Sequence, residues 1–337
     1  MMAKESFEKI NYSLRISKNI ERKMIAEVLK RLTVFDKIEN YKYIGLGSTF
    51  FSDFSLFHKV LGISNMISIE RAEDKKERFE FNKPFSCIEM KYKSTNDILS
   101  TLDLLEKNVC WLDFDDKLNS DMLSDINTYV TKCSSGCIFM ISVNVQTFDN
   151  RLSQRIDNEV EEEIINSFKE SFVSKQTIES DGFAEESASG NDLRIEDVKK
   201  TDLFGIGMFE YSRKIINNEV IRSIKRRKEH SPINYKQIFN FDYNDGARML
   251  TLGYIFYSDE DIEKFNKCEF EDFNFCKFEK DRYQIKVPSL TYKELGYINS
   301  NLPNCIEEID NKIIPMSDIN KYKESYRFFP SYMESFS

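Results

Sequence analysis

Between residues 41 and 145 the chain alternates short apolar runs with helical spacing, and no other feature constrains its fold as tightly. The runs are YKYIGLG, MISIE, CIEMK, VCWLDF and GCIFMISVNV, each separated from the next by a helical pattern. Strands buried on both faces read as continuous apolar runs, and repeated strand–helix–strand units build a parallel sheet with helices on both faces. An α/β fold is therefore expected. With 337 residues, 41% of them hydrophobic and 13% aromatic, the chain has enough apolar surface for one main core.

The flanks are different in character. From Ile16 to Leu32, apolar residues recur at helical spacing, and Arg15, Lys18 and Arg22 share another stripe of the same helix. Residues 151–200 carry 13 acidic against 7 basic side chains, a large part of the net charge of -9, and a mobile loop is expected near Ser180 to Asn191. Beyond a helical stretch around Arg213 to Lys228, FNFDYNDGARMLTLGYIFYS reads as a hairpin, because Asp-Gly tolerates the positive φ of such a turn. In the tail, Ser289 or Thr291 is placed to cap a helix near Tyr292, and the chain closes on the aromatic YRFFPSYMESF.

Seven cysteines without a CxxC pair, Cys133 and Cys137 among them, lack the partners of a zinc site, so reduced thiols and no bound metal are expected. No apolar stretch approaches a membrane span of about 20 residues, and a cytoplasmic setting follows as the expectation.

Three places carry chemistry. Gly45, Gly47 and Ser48 end the first apolar run, where glycines let a backbone approach a ligand, although a tight strand-to-helix turn has the same appearance. Glu70 closes the second run, 25 residues after Gly45, where a carboxylate can accept hydrogen bonds from both ribose hydroxyls of an adenosine ligand. Asp113, Asp115 and Asp116 cluster where the fourth run ends. Asp113 is placed to orient a substrate or act as a base, and Asp113 with Asp115 offers hard oxygen ligands to a divalent cation. A strand emerging into solvent beside Trp111, Leu112 and Phe114 shows the same alternation of acids. His58, four residues from Phe54, reads as a packed or surface side chain. Arg222, Lys225, Arg226, Arg227 and Lys228 form the densest basic cluster, either a solvated helix face or, with the Arg15 stripe, a surface for a phosphate-bearing substrate or RNA.

The glycine-bearing first turn, the acid closing the second strand and the acidic WLDFDD together resemble the class I S-adenosylmethionine-dependent methyltransferases. The segments NYSLRISKNIERKM, RFEFNKP and YRFFPSYMESF are similar to uncharacterised bacterial O-methyltransferase-like proteins, some of which accompany defence or mobile-element genes. Tyr43 stands where that family commonly has an acid, and Thr49 where it has a third glycine.

The resemblance implies a Rossmann-like, mostly parallel seven-stranded sheet ending in an antiparallel hairpin, with a small helical C-terminal appendage. It implies a helical extension over 1–40, a methyltransferase-like domain over 41–260 with the acidic insertion, and the appendage over 261–337. It further implies S-adenosylmethionine as cofactor, with Gly45, Gly47 and Ser48 near its methionine part, Glu70 on the ribose and Asn96 or Asp97 near the adenine. Asp113 and Asp115 would then face the reacting methyl, and Arg15, Lys18, Arg22, Arg226 and Arg227 would receive a small, phosphate-bearing or RNA substrate. No DPPY-like or PCQ-like sequence is present, which disfavours methylation of DNA bases. The rival expectation is a methyltransferase-like module that binds a nucleotide or a protein partner without turnover.

Overall fold

The five apolar runs become parallel strands because alternate residues of each find a helix layer on opposite faces. The computed structural model describes residues 15–147, 165–172, 198–227, 232–304, 309 and 312–330. The strands are β1 (Lys42–Leu46), β2 (Asn65–Glu70), β3 (Ile88–Tyr92), β4 (Asn108–Asp113) and β5 (Ile138–Asn144). The longer helices among them are α1 (Ile16–Lys30), α2 (Ser52–Leu61), α3 (Lys76–Asn82), α4 (Thr95–Thr101) and α5 (Ser120–Lys132). After these come α6 (Gly207–Lys225), β6 (Asn234–Asn244), β7 (Arg248–Tyr257), β8 (Tyr283–Ile285), α7 (Tyr292–Asn301) and α8 (Met316–Ser325).

The sheet order is β3-β2-β1-β4-β5-β7-β6-β8. β7 runs antiparallel to both β5 and β6, as the hairpin sequence requires, with Ile138 opposite Ile255. Among the described residues the sheet has eight strands rather than the seven expected. The additional strand, β8, pairs parallel with β6 from Phe241↔Tyr283 to Tyr243↔Ile285. Three residues are too few to show a period of their own, and the pairing covers part of an otherwise open sheet edge.

Pleating separates two cores. Tyr43, Trp111, Met140 and Phe241 project to the side where α1 supplies Ile20, Met24, Ile25 and Val28 and α2 supplies Phe54 and Phe57. Ile44, Leu112, Phe139 and Leu252 project to the other side, against Ile126 and Tyr129 of α5 and Phe209 and Ile216 of α6. Helix α1 is thus part of the first core. It is pinned at its start by Ser17 Oγ donating to Asn244 O at 3.0 Å and by Arg15 beside Asp245 at 3.6 Å, both in the hairpin. The Thr291–Glu294 capping box opens α7, and α7 and α8 share a small cluster around Ile298, Ile319 and Tyr322.

Among the described residues no helix is long and apolar enough to cross a membrane. The loop expected at Ser180 to Asn191 lies outside the described residues, as do Lys228 and the last residues of the aromatic tail.

Asp125 of α5 makes stability depend on pH. It is 1% exposed, and burial pushes its carboxyl up to about 7 against the opposing pull of Arg71. The folded state therefore binds a proton more tightly than the unfolded chain does, and stability should fall as pH rises from about 4 to 7. Asp125→Asn should flatten that slope, so the variant's melting temperature should gain on wild type between pH 5 and pH 8. Parallel melting curves across that range would remove Asp125 as the cause.

Candidate functional site

Reversal of the strand order between β1 and β4 opens a crevice at the carboxyl ends of the strands, since successive connections leave the centre in opposite directions. It encloses about 750 Å³, and its lining includes Gly47, Ser48, Glu70, Thr95, Asp113 and Asp115. The geometry begins with Gly47, whose N–H donates to Ile69 O at 2.7 Å as β1 ends. A Cβ there would stand 3.0 Å from Glu70 Oε2 and 3.1 Å from Ser68 Oγ, so any larger residue would crowd the Glu70 carboxylate. Ser48 follows, its Oγ accepting from Phe50 N at 3.3 Å. Phe51, fully buried with φ 45°, then turns the chain into α2 through the left-handed region.

Glu70 is oriented by the backbone beyond it. Its Oε1 accepts from Arg71 N at 2.9 Å and from Ala72 N at 3.3 Å, while Oε2 lies toward Gly47. Two backbone donors hold the carboxylate at the crevice mouth, where it can accept further hydrogen bonds from a ligand.

At the end of β4, Trp111 Nε1 donates to Ser142 Oγ at 2.9 Å, and Ser142 Oγ is 2.8 Å from Thr251 Oγ1, so three strands fix the indole. Over that ring sits the ammonium of Lys18, 4.9 Å from its centroid. Lys18 Nζ is 2.5 Å from Asp113 Oδ1 and 2.9 Å from Glu21 Oε2, and its side chain is 3% exposed against 25% for Asp113. Burial works against the ammonium, yet Asp113 and then Glu21 more than offset it, holding Lys18 well above the usual lysine range. Glu21, fully buried, is itself pushed up by burial, with Lys18 opposing.

The expected residues divide accordingly. Gly47, Ser48, Glu70, Asp113, Asp115 and Arg22 meet in the crevice. Gly45 does not line it: within β1 its missing side chain makes room for Tyr43, whose Oη would be 2.8 Å from a Cβ. Asn96 and Asp97 are turned elsewhere, Asn96 Nδ2 to Ser124 Oγ and Thr128 Oγ1 at 3.0 and 2.8 Å and Asp97 Oδ2 to Ser94 Oγ at 2.6 Å. Thr95 lines the wall instead.

Lys18 is buried and ion-paired rather than presented on a basic surface. Arg226 and Arg227 follow α6 at the opposite end of the sheet, where Arg227 Nη1 donates to Val130 O at 2.6 Å. His58 is structural, its Nδ1 2.8 Å from Ile63 O and its ring 4.3 Å from that of Phe85. Among the described residues no three His, Cys, Asp or Glu groups converge to hold a metal ion.

Sequence reasoning missed Asp53. In the first turn of α2 it lines the crevice and accepts a hydrogen bond from the Tyr43 hydroxyl. The signal was available in Tyr43 itself: a buried tyrosine needs a partner for its hydroxyl, and an acid ten residues on provides one.

The model of the family described as "Putative O-methyltransferase" matches residues 10–337. None of the curated proteins matches the chain. Among solved structures, an O-methyltransferase family protein from Burkholderia thailandensis is 10% identical, covering 70% of this chain and 56% of that one with a TM-score of 0.34. Trm1 from Pyrococcus horikoshii, solved with S-adenosyl-L-methionine, is 11% identical, covering 71% and 55% with a TM-score of 0.41. DesVI from Streptomyces venezuelae is 12% identical, covering 36% and 49% with a TM-score of 0.27. The chain spans about half the length of these structures, and such distant likenesses do not bear on its chemistry.

Proposed function

Because the chain belongs to the O-methyltransferase family whose model spans residues 10–337, we propose that it transfers a methyl group from S-adenosylmethionine bound in this crevice. The observation that carries the reading is the meeting of Gly47, Ser48, Glu70 and Asp113 in one crevice of about 750 Å³ at the strand-order reversal. The residues present fit such a ligand. Gly47 leaves a cradle that a Cβ would fill, and the buried hydroxyls of Thr49 and Ser68 flank the turn without hydrogen-bond partners among the described residues. Glu70 would hold the ribose hydroxyls, Gly47 and Ser48 would lie along the methionine part, and Thr95, rather than Asn96 or Asp97, would stand on the adenine side.

When bound, the cofactor supplies an electrophilic methyl on its sulfonium. The chain's contribution is placement. Asp113, fixed through Oδ1 by Lys18, is left with its partly exposed side to orient the acceptor's O–H or take up its proton. Asp115 lines the same wall. The acceptor, a small molecule, a phosphate-bearing compound or RNA, meets this end of the sheet. An acceptor reaching Arg226 and Arg227 as well would have to extend to the other end. A bacterial defence setting belongs to the same proposal and rests on the sequence resemblance.

The Lys18–Asp113 pair favours a second reading, a binding module without turnover, because it commits one carboxylate oxygen to the protein. Native mass spectrometry and transfer of labelled methyl into cell extract separate the two. The enzyme reading expects a retained adenosine ligand and incorporation that Asp113→Asn abolishes while the ligand stays bound. Ligand without incorporation in wild type supports the module, and no ligand under either assay contradicts both.

A further inference from the structure

On β6, the buried carboxylate of Asp242 has more cations than it needs. Its side chain is 2% exposed, and it accepts from Arg248 Nε at 2.9 Å, Arg248 Nη2 at 2.7 Å and Arg282 Nη1 at 3.0 Å. Both guanidiniums also lie over the ring of Phe209 near the start of α6, each 5.5 Å from its centroid. One carboxylate and one aromatic face thus hold two cations side by side, with a positive charge in excess. The neighbouring acid Glu210 is taken up by Arg213 at 3.0 Å.

Satisfying Asp242 requires only one of the two, since Arg248 alone bonds both of its oxygens. Among the described residues Arg248 Nη1 and Arg282 Nε and Nη2 make no hydrogen bond, and the two side chains are 26% and 37% exposed. A guanidinium stacked on a ring presents its edge, and two edges that meet at Asp242 Oδ2 offer donors to several oxygens of one tetrahedral anion.

The pair stands at the crevice end of the sheet. Asn144 N donates to Asp116 O at 3.0 Å on the crevice wall, and Val145 N donates to Arg248 O at 2.8 Å. The backbone of Arg248 is therefore two strand spacings, roughly 10 Å, from that of Asp116. The crevice itself is acidic, with Asp53, Glu70, Asp74, Asp113, Asp115 and Asp116 in its lining, and repels a phosphate carried into it. A phosphate-bearing acceptor has to keep its charge outside that wall while its reacting end enters. We infer that Arg248 and Arg282 form a binding site for a phosphate monoester, which anchors a small phosphate-bearing acceptor beside the crevice. The acceptor role rests on the cofactor reading above, whereas the phosphate site stands on its own geometry.

Phosphorus NMR of inorganic phosphate titrated with the full chain reads the site directly, with acetate and a short RNA lacking terminal phosphates as competitors. Wild type should bind phosphate, and neither competitor should displace it at equal concentration. Arg282→Gln should weaken phosphate roughly tenfold or more, the loss of one charge-assisted contact. The same variant should melt like wild type, because Arg248 still bonds both oxygens of Asp242. Arg248→Lys, which keeps the charge but not the fork, should lose less affinity than Arg248→Met.

Wild type that binds no phosphate, or phosphate affinity unchanged in Arg282→Gln, would overturn the site. Ready displacement by the RNA would assign the pair to a nucleic-acid backbone, and by acetate to a carboxylate, and either would overturn the monoester. S-adenosylhomocysteine binding in a chain that ignores phosphate would leave the cofactor reading standing without this site. Phosphate binding in a chain that ignores S-adenosylhomocysteine would keep the site and remove its acceptor role.

Discussion

Glu70→Ala should weaken S-adenosylmethionine binding about thirty- to a thousandfold, because it removes two charge-assisted hydrogen bonds to the ribose worth roughly 2 to 4 kcal/mol together. The effect should be large because the carboxylate is already in place: Arg71 N and Ala72 N hold Oε1, and Gly47 leaves room for Oε2, so little ordering is lost on binding. Glu70→Gln, which keeps the volume and one acceptor oxygen, should lose less. Titration calorimetry of the three proteins reads the difference directly, and equal affinity in wild type and Glu70→Ala would move the ribose elsewhere.

The second large effect is on stability. Lys18→Met should cost about 3 to 5 kcal/mol in denaturant unfolding, since it strands the carboxylates of Glu21 and Asp113 beside an apolar floor. The sign with pH follows from a folded pKa raised above the unfolded one. The contribution is fully present below the unfolded lysine value of about 10 and is lost only as pH rises through the folded value, so it persists across the physiological range. Adding Asp113→Asn to Lys18→Met should cost less than the two single losses summed, by about 0.5 to 3 kcal/mol of coupling. Strict additivity would mean that the two groups do not act as a pair.

These two residues also show what was legible in the sequence and why. β2 and β4 announce themselves as continuous apolar runs ending in an acid, and the crossover rule brings those ends to one crevice, so Glu70 and Asp113 could be found without coordinates. Lys18 could be placed on a stripe with Arg15 and Arg22, but not inside the molecule. Its burial depends on Asp113, 95 positions away, and on a tryptophan held by two other strands. Helical spacing alone carries no such information.

Asn96 and Asp97 are turned away from the crevice for a local reason. Ser94 caps α4 and takes up Asp97, while the helix turns Asn96 toward α5, leaving Thr95 to face the crevice. Strand β8 exists only because β6 presents an edge for Phe241, Asp242 and Tyr243 to be paired, which is a property of the neighbour and not of its own three residues. The basic cluster was legible as composition, but its position at the far end of the sheet follows from the direction of α6.

A crystal structure of the protein with S-adenosylhomocysteine should show the adenosine across the carboxyl ends of β1, β2 and β4. Its ribose hydroxyls should lie on the Glu70 carboxylate, its amino-acid end beside Gly47 and Ser48, and its sulfur toward Asp113. Ligand density in another cavity, or a ribose without contact to Glu70, would contradict that placement.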